Sequence, residues 1–223
     1  MSGQGGSGGI SNTPRLLKAG LILLNPDSGA VQRVIALQYN PETLTRTLQP
    51  QGTGGTGHTS EPLRLKGPPI ETIKLDADLD ATDQLEFPDQ NSTAVEVGVA
   101  PQLAALETTV YPDSAALIRN NQMAAVGTLE IVPVRAPLIV FVWGAERAMP
   151  VRITDFSIVE EAFDARLNPI RARVSLTLRV LNINDLGFGD KGGHLYMVYH
   201  QGRERLAARA GSASLGSLGL NGL

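Results

Sequence analysis

Two segments of the chain alternate apolar and polar residues, the pattern of a β-strand with one buried face. Within Ile70–Asp80, the apolar residues Ile73, Leu75, Ala77 and Leu79 stand at every second position, and the residues between them are charged. The same period recurs from Ile170 to Val180, where arginine, serine and threonine fill the polar positions. The pattern predicts two strands with an aliphatic core face, made of Ile73, Leu75, Ala77, Leu79, Ala172, Val174, Leu176, Leu178 and Val180.

The other predicted strands are shorter or less regular. Phe141 and Trp143 belong to a continuous apolar run and are expected in the core; we favour a core position for Trp143 over an exposed ligand platform. A change of phase in the alternation near Thr154 and Asp155 predicts a β-bulge. These strands are predicted at Leu21–Leu24, Val31–Tyr39, Leu44–Leu48, Leu138–Trp143 and Val151–Phe163.

Helical spacing of apolar residues is confined to three segments. Residues 101–108 and a segment that begins at Asp113 or Ser114 predict two short helices. Glycines between positions 187 and 193 predict a hinge before a last helix over 194–209, with an apolar face of Leu195, Val198, Tyr199 and Leu206. We therefore divide the chain into a flexible Gly/Ser-rich tail (1–14), a β domain (15–185) and a hinge, helix and flexible terminus (186–223).

Composition removes several classes of function. The chain of 223 residues has no cysteine and only 4% aromatic residues, so disulfides and thiolate sites are excluded and the core must be aliphatic. Proteins that bind nucleic acid without specificity, or that bind anionic membranes, usually have an excess of basic residues. A net charge of −3 therefore favours neither class. The apolar runs are strand-sized, far short of the roughly 20 residues that span a bilayer, and the glycine-rich start lacks the features of a signal peptide.

The sequence offers no catalytic, metal-binding or cofactor-binding set. Asp76, Asp78, Asp80 and Asp83 resemble a calcium loop, but the sixth position is Ala81 rather than glycine, and the twelfth is not glutamate. His58, His194 and His200 do not have the spacing of a helical metal pair. We therefore predict no enzyme activity and no cofactor.

Charged residues instead mark the polar faces of the two regular strands. One strand offers Lys74, Asp76, Asp78 and Asp80, and the other offers Arg171, Arg173 and Arg179. Two interpretations stay open from the residues alone. The charges pair across neighbouring strands of a solvated sheet, or they face another subunit or a channel.

The order of three motifs adds a resemblance to a known family. They are Y-N-P-E at 39–42, F-V-W-G at 141–144 and R-A-R-V-S-L-T-L at 171–178. Over about residues 16–182 the chain resembles the tube-like baseplate adaptor family of contractile injection systems, which are related to phage tails. The resemblance implies a mainly β (α+β), two-sheet, barrel-like tail-tube fold with one or two helices and a C-terminal helical tail.

The same resemblance implies a structural role. Copies of the chain are expected to form a hexameric ring by strand addition, joining inner tube subunits to the spike hub protein and docking baseplate wedge proteins. Assembly is expected in the cytoplasm, within a phage-tail-like particle that is released or retained. Many members continue into a LysM-like domain, and residues 186–223 are too few for it, so we expect the last helix to dock a baseplate partner.

Two alternatives stay open beside the adaptor. The nearer one is the bulk inner-tube subunit, which would polymerise into long tubes. The other is a small β-fold hydrolase or glycan-binding module, which would be a monomer whose activity or sugar binding depends on Asp78 or Trp143.

Overall fold

The computed structural model describes residues 16–52, 64–125 and 136–220. The predicted N-terminal tail and most of the glycine-rich segment around residues 52–57 lie outside these ranges. The strands are β1 (Gly20–Leu24), β2 (Val31–Ala36), β3 (Leu44–Gln49), β4 (Ile70–Asp80), β5 (Leu138–Val142), β6 (Ala148–Phe163) and β7 (Pro169–Val180). The α-helices are α1 (Thr82–Leu85), α2 (Ser92–Val97), α3 (Ala100–Glu107), α4 (Ser114–Ala125) and α5 (Lys191–Ala208).

One antiparallel sheet joins all seven described strands, in the order β2-β1-β5-β6-β7-β4-β3. Strand β6 is 16 residues long and belongs to two halves of this sheet. Its start, Ala148–Val151, pairs with β5, whereas Val151–Phe163 pairs with β7. The register shifts between Ile153 and Asp155, which confirms the predicted bulge.

A single hydrophobic core collects residues from both halves of the sheet. Leu21 of β1 and Leu75 of β4 belong to the same buried cluster, together with Val99, Leu103 and Leu106 from and around α3. The alternation along β4 and β7 matches the burial, since the inward residues are nearly inaccessible and the outward residues are not. Most residues expected in the core are buried: Ile73, Leu75, Leu79, Phe141, Val174, Leu176 and Leu178. Trp143 is only half-buried and packs against the margin of the cluster.

The mainly β, α+β class is confirmed, but the described sheet is not closed into a barrel. Strands β2 and β3 stand at its two ends, and each pairs with one neighbour only. Within the described residues, the sheet therefore has two free edges. A separate second sheet, as expected from the resemblance, is not present among the described strands.

Short helices close one end of the core. The helices predicted after Pro101 and Asp113 are confirmed as α3 and α4, while α1 and α2 were not predicted because they are only four and six residues long. Backbone hydrogen bonds from Ala81 to Ile170 and from Val99 to Pro169, at 3.0 and 2.9 Å, fix these helices to the start of β7.

The last helix lies against the sheet instead of projecting from it. It begins at Lys191, before the predicted start, because Gly192 and Gly193 belong to its first turn and are buried. A Cβ on Gly193 would lie 2.3 Å from the carbonyl oxygen of Gly187, so only glycine allows this close approach of helix and loop.

The predicted docking face of this helix is wrong in part. Tyr199 is 5% exposed because it belongs to the chain's own hydrophobic core, and Leu195 is half-buried. Val198 and Leu206 remain exposed, on a side of the helix that the sheet does not cover.

We predict that Gly193→Ala destabilises the protein by about 1–3 kcal/mol, because the added methyl group meets backbone that cannot rotate away. Urea unfolding followed by circular dichroism measures this change. Gly189→Ala is the matched control, since a Cβ there has no neighbour within 4 Å. Equal unfolding midpoints for the two variants would contradict the close packing of α5.

Candidate subunit interface

Cross-strand ion pairs occupy the outward face of β4 and β7. The register sets Asp78 opposite Arg173 and Asp80 opposite Arg171. The carboxylates accept hydrogen bonds from the arginine Nε atoms at 2.9 Å and 2.8 Å, respectively. The first of the two open interpretations, pairing across neighbouring strands, therefore describes these four residues.

The other predicted interface residues lie on the same face but do not join this ladder. Arg179 is opposite Thr72 and donates to Asp185, after the end of β7, at 2.7 Å. Lys74 and Asp76 are exposed and form no ion pair with any described residue. The structure thus leaves part of the predicted set available to another molecule.

The ladder itself contributes little to stability. Both side chains of the Asp78–Arg173 pair are more than half exposed, at 57% and 55%, and such pairs contribute about 0–1 kcal/mol. Burial alone would raise the pKa of Asp80, but hydrogen bonds from the Thr82 hydroxyl and backbone N–H, and then from Arg171, lower it overall. Asp80 therefore stays ionised at neutral pH and keeps its contacts.

Charge is distributed unevenly along this outward face. Toward the end of β4 lie four carboxylates (Asp76, Asp78, Asp80 and Glu161) and two guanidinium groups (Arg171 and Arg173), a net charge of −2. Toward the start of β4 lie three cations (Lys74, Arg152 and Arg179) and two carboxylates (Asp155 and Asp185, the latter bound to Arg179), a net charge of +1. We call these two regions the acidic end and the basic end.

A groove of about 810 Å³ opens at the acidic end, between the ion-pair ladder and residues 38–43. Two hydrogen bonds hold that loop in place: the Gln38 side chain donates to the Asp80 carbonyl at 2.6 Å and accepts from the Asp80 N–H at 2.9 Å. The Asn40 side chain likewise binds the backbone of Leu17 and Ala19. These hydrogen bonds within the chain therefore hold the wall of the groove in place.

A buried glutamate anchors the last helix on the opposite side of β4. Glu71 is 3% exposed, and its Oε1 accepts hydrogen bonds from Arg46 Nη2 at 2.6 Å and from the Tyr199 hydroxyl at 3.0 Å. Its Oε2 accepts from Arg203 Nη2 at 2.8 Å. Strands β3 and β4 and helix α5 thus meet at one carboxylate, whose burial is compensated by two cations.

The surroundings of Glu71 shift the pKa values of its partners. Burial is the main cause that raises the pKa of Tyr199, and the charge of Glu71 adds to it. Burial would lower the pKa of Arg203, but the opposite charge of Glu71 reverses this and raises it. Tyr199 is accordingly neutral, and Arg203 charged, over the whole physiological range.

The sequence analysis did not predict the anchor at Glu71, although the alternation of polar and apolar residues in β3 and β4 indicates it. Glu71 stands in the same phase of β4 as Ile73, and Arg46 stands between Leu44 and Leu48 in the inward phase of β3. A charged residue at an inward position needs a buried partner. Two charged residues of opposite sign in the inward phases of neighbouring strands were therefore a predictable pair.

Metal-binding clusters and membrane-spanning helices are both absent from the described residues. Across residues 16–52, 64–125 and 136–220, no group of three or more His, Asp or Glu side chains is placed to hold a metal ion. None of the helices in these ranges is long and apolar enough to cross a membrane.

Comparison of the sequence with known protein families gives a match. The model of the contractile injection system tube protein family matches residues 18–185, most of the 223-residue chain. No curated protein matches the sequence.

Solved structures of phage-tail-like particles show weak similarity. One is a chain of the tail of an empty gene transfer agent particle, refined with C6 symmetry: 11% identity over 73% of this chain and 90% of that chain, TM-score 0.29. Another is a chain of the virion of a native gene transfer agent particle: 11% identity over 73% and 95%, TM-score 0.25.

We predict that Glu71→Ala lowers the free energy of unfolding by about 2–4 kcal/mol, because it leaves two partly buried guanidinium groups without their counter-ion. Chemical denaturation measures the loss. The matched control is Asp78→Ala, which breaks an exposed ion pair on the same strand and should cost less than about 1 kcal/mol. Similar losses for both variants would show that the anchor does not hold α5.

Proposed function

The chain belongs to the contractile injection system tube protein family, and we propose that it forms the ring that connects the inner tube to the spike hub and docks baseplate partners. Membership makes it a structural component of a phage-tail-like particle. The position at the end of the tube, the hexameric state and the partners are our proposal.

One observation carries the proposal: the half-sheet β6-β7-β4-β3 has a free edge on each side. Strand β3 ends the sheet, and no described strand pairs with the outer side of β6 beyond Val151. Free edges expose unpaired N–H and C=O groups, which a strand of another chain can satisfy. A half-sheet with two parallel free edges can be continued by identical copies until the ring closes.

The burial of inward side chains decreases from the middle of this half-sheet toward its edges. Leu75 of β4 and Leu176 of β7 are 4% and 2% exposed, whereas Leu48 of β3 is 45% exposed. On the other edge, Phe156 and Ile158 of β6 are only half-buried. A neighbouring copy at each edge would complete the core that a single chain leaves open.

In a closed ring, the outward face of the half-sheet would form the inner wall of the ring. That face carries mixed charges and no large apolar patch, which suits a surface in contact with water. The exposed residues of α5, Val198 and Leu206, lie on the other side of β4 from this face, available to a wedge protein. We place assembly in the cytoplasm, with the particle released or retained.

The position of the chain in the particle distinguishes the adaptor from the bulk inner-tube subunit. Electron microscopy of particles carrying a labelled chain should show the label only at the junction of tube and spike. Label along the whole tube would identify a bulk tube subunit, and no label in the particle would overturn both assignments.

We predict that Leu48→Lys prevents ring formation without unfolding the chain, because it places a charge where a neighbouring strand would pack. Native mass spectrometry should show hexamers for the natural chain and monomers for the variant. Leu215→Lys is the matched control, because Leu215 is also 45% exposed but lies outside the half-sheet. Hexamers formed equally by both variants would contradict closure through the β3 edge.

A further inference from the structure

We propose that an extended segment of a partner protein binds as an added strand at the outer edge of β2, in a groove between β2 and helix α3. The segment presents apolar side chains at alternate positions and an acidic residue beside Arg33. This inference goes beyond the proposed ring, whose copies pair at β3 and β6. It concerns the end of the sheet at β2, and it holds whether or not the ring forms.

The outer edge of β2 presents backbone groups that no described strand pairs with. Among the described strands, β2 pairs with β1 only. The Leu37 N–H donates to the Ala19 carbonyl at 2.8 Å, toward β1. Because this direction alternates along an antiparallel strand, the N–H and C=O groups of Val34 and Ala36 point away from β1. An extended segment can bind these groups as a neighbouring strand would.

Strand β2 lacks the features that protect many sheet edges. Proline, lysine and bulges commonly prevent pairing at an edge. The strand V-Q-R-V-I-A at Val31–Ala36 contains neither proline nor lysine, and its register shift against β1 lies at its start, opposite Leu24. Val31 and Val34 are 62% and 63% exposed. The edge is therefore apolar and open to a partner from Arg33 onward.

An apolar groove of about 410 Å³ lies along this edge. Its lining comes from residues 33–38, from Leu79 at the end of β4, and from Ala105 and Leu106 of α3. Leu37 and Leu106 are each 2% exposed and belong to the hydrophobic core, so the groove is a margin of the core. It accommodates a few side chains, which an added strand supplies at every second position.

The charge of the groove favours an acidic segment. Among the described residues that line it, Arg33 is the one cation, and there is no carboxylate. The Arg33 Nη1 donates to the Thr108 hydroxyl at 3.2 Å, which holds the guanidinium near the end of α3. A guanidinium has five N–H donors, so most of them remain for a carboxylate of the occupant.

The exposed apolar surface continues beyond the groove. Val110 and Tyr111 follow Thr108, the partner of Arg33, and are 45% and 69% exposed. This continuation favours a segment of a larger protein over a small ligand. Because copies in the proposed ring pair at β3 and β6, the β2 edge is left for a different protein, with one site on each subunit.

Binding of a designed peptide to the full chain tests this site. The probe is acetyl-T-V-T-V-T-E-amide with a fluorescent label, whose two valines and glutamate would face Leu37, Ile35 and Arg33 in an antiparallel arrangement. Fluorescence anisotropy should show saturable binding. A peptide ending in lysine instead of glutamate, and one with N-methyl groups on its second and third threonines, should each bind about tenfold more weakly. Equal affinity for all three peptides would overturn the inference.

Variants of the chain test both walls of the groove. Val34→Pro removes an N–H that points away from β1 and should weaken binding about tenfold, whereas Val34→Thr keeps this N–H and should bind normally. Ala105→Trp fills the groove and should abolish binding. Its matched control is Ala104→Trp, at an exposed position of α3 that does not line the groove. Circular dichroism verifies that each variant is folded.

Charge exchange tests the role of Arg33. Arg33→Glu should prefer the lysine peptide over the glutamate peptide, the reverse of the natural chain. An unchanged preference in a folded Arg33→Glu variant would overturn the assignment of an acidic occupant.

Hydrogen exchange at the Val34 and Ala36 amides identifies any other occupant. We expect fast exchange of both amides in isolated chains and in rings, and protection when the peptide is bound. Protection in the isolated chain would assign the edge to the chain itself, and protection only in hexamers would assign it to a second copy. Either result would overturn the inference, whereas the ring is tested separately by native mass spectrometry.

Discussion

The length of β6 is the constraint on which the rest of the structure depends. Its first residues pair with β5 and its remainder with β7, so a single strand joins two half-sheets whose inner faces share one core. The bulge after Ile153 lies just beyond the point where pairing with β5 ends, and its extra residue bends and twists the strand. Among the described strands, the same arrangement leaves most of the outer side of β6 without a partner. Backbone groups on that side are satisfied by water in a single chain and by a neighbour's strand in the proposed ring.

A second constraint comes from Glu71, which holds the C-terminal helix against β3 and β4. A carboxylate that is 3% exposed is tolerated because Arg46, Arg203 and Tyr199 all donate to it. The anchor occupies the inward phase of the strands, whereas the ion-pair ladder occupies the outward phase. The two charged clusters therefore have different consequences: one fixes the helix within the chain, and the other pairs charges across the exposed face of the sheet.

The sequence predicted the regular strands well because their alternation has a period of two and the core side chains are aliphatic. Ile73, Leu75 and Leu79 had to share a face in any strand, and the bulge near Thr154 followed from a change of phase. It could not predict the pairing of Arg179 with Asp185, because that depends on the path of the chain after β7. Nor could it predict that Tyr199 turns inward, since the helix has apolar residues on more than one side and the anchor at Glu71 decides its orientation.

The central claim is that neighbouring copies complete the half-sheet β6-β7-β4-β3 by pairing at its two edges. Hydrogen exchange of backbone amides, compared between isolated chains and purified rings, tests this claim most directly. In the isolated chain, the account predicts fast exchange of those amides of Leu44–Gln49 and Ile153–Phe163 that point away from their paired neighbour strand. In the ring it predicts strong protection of the same amides, with the central strand β4 protected in both states. Rings in which these two edge segments exchange as fast as in the isolated chain would contradict it.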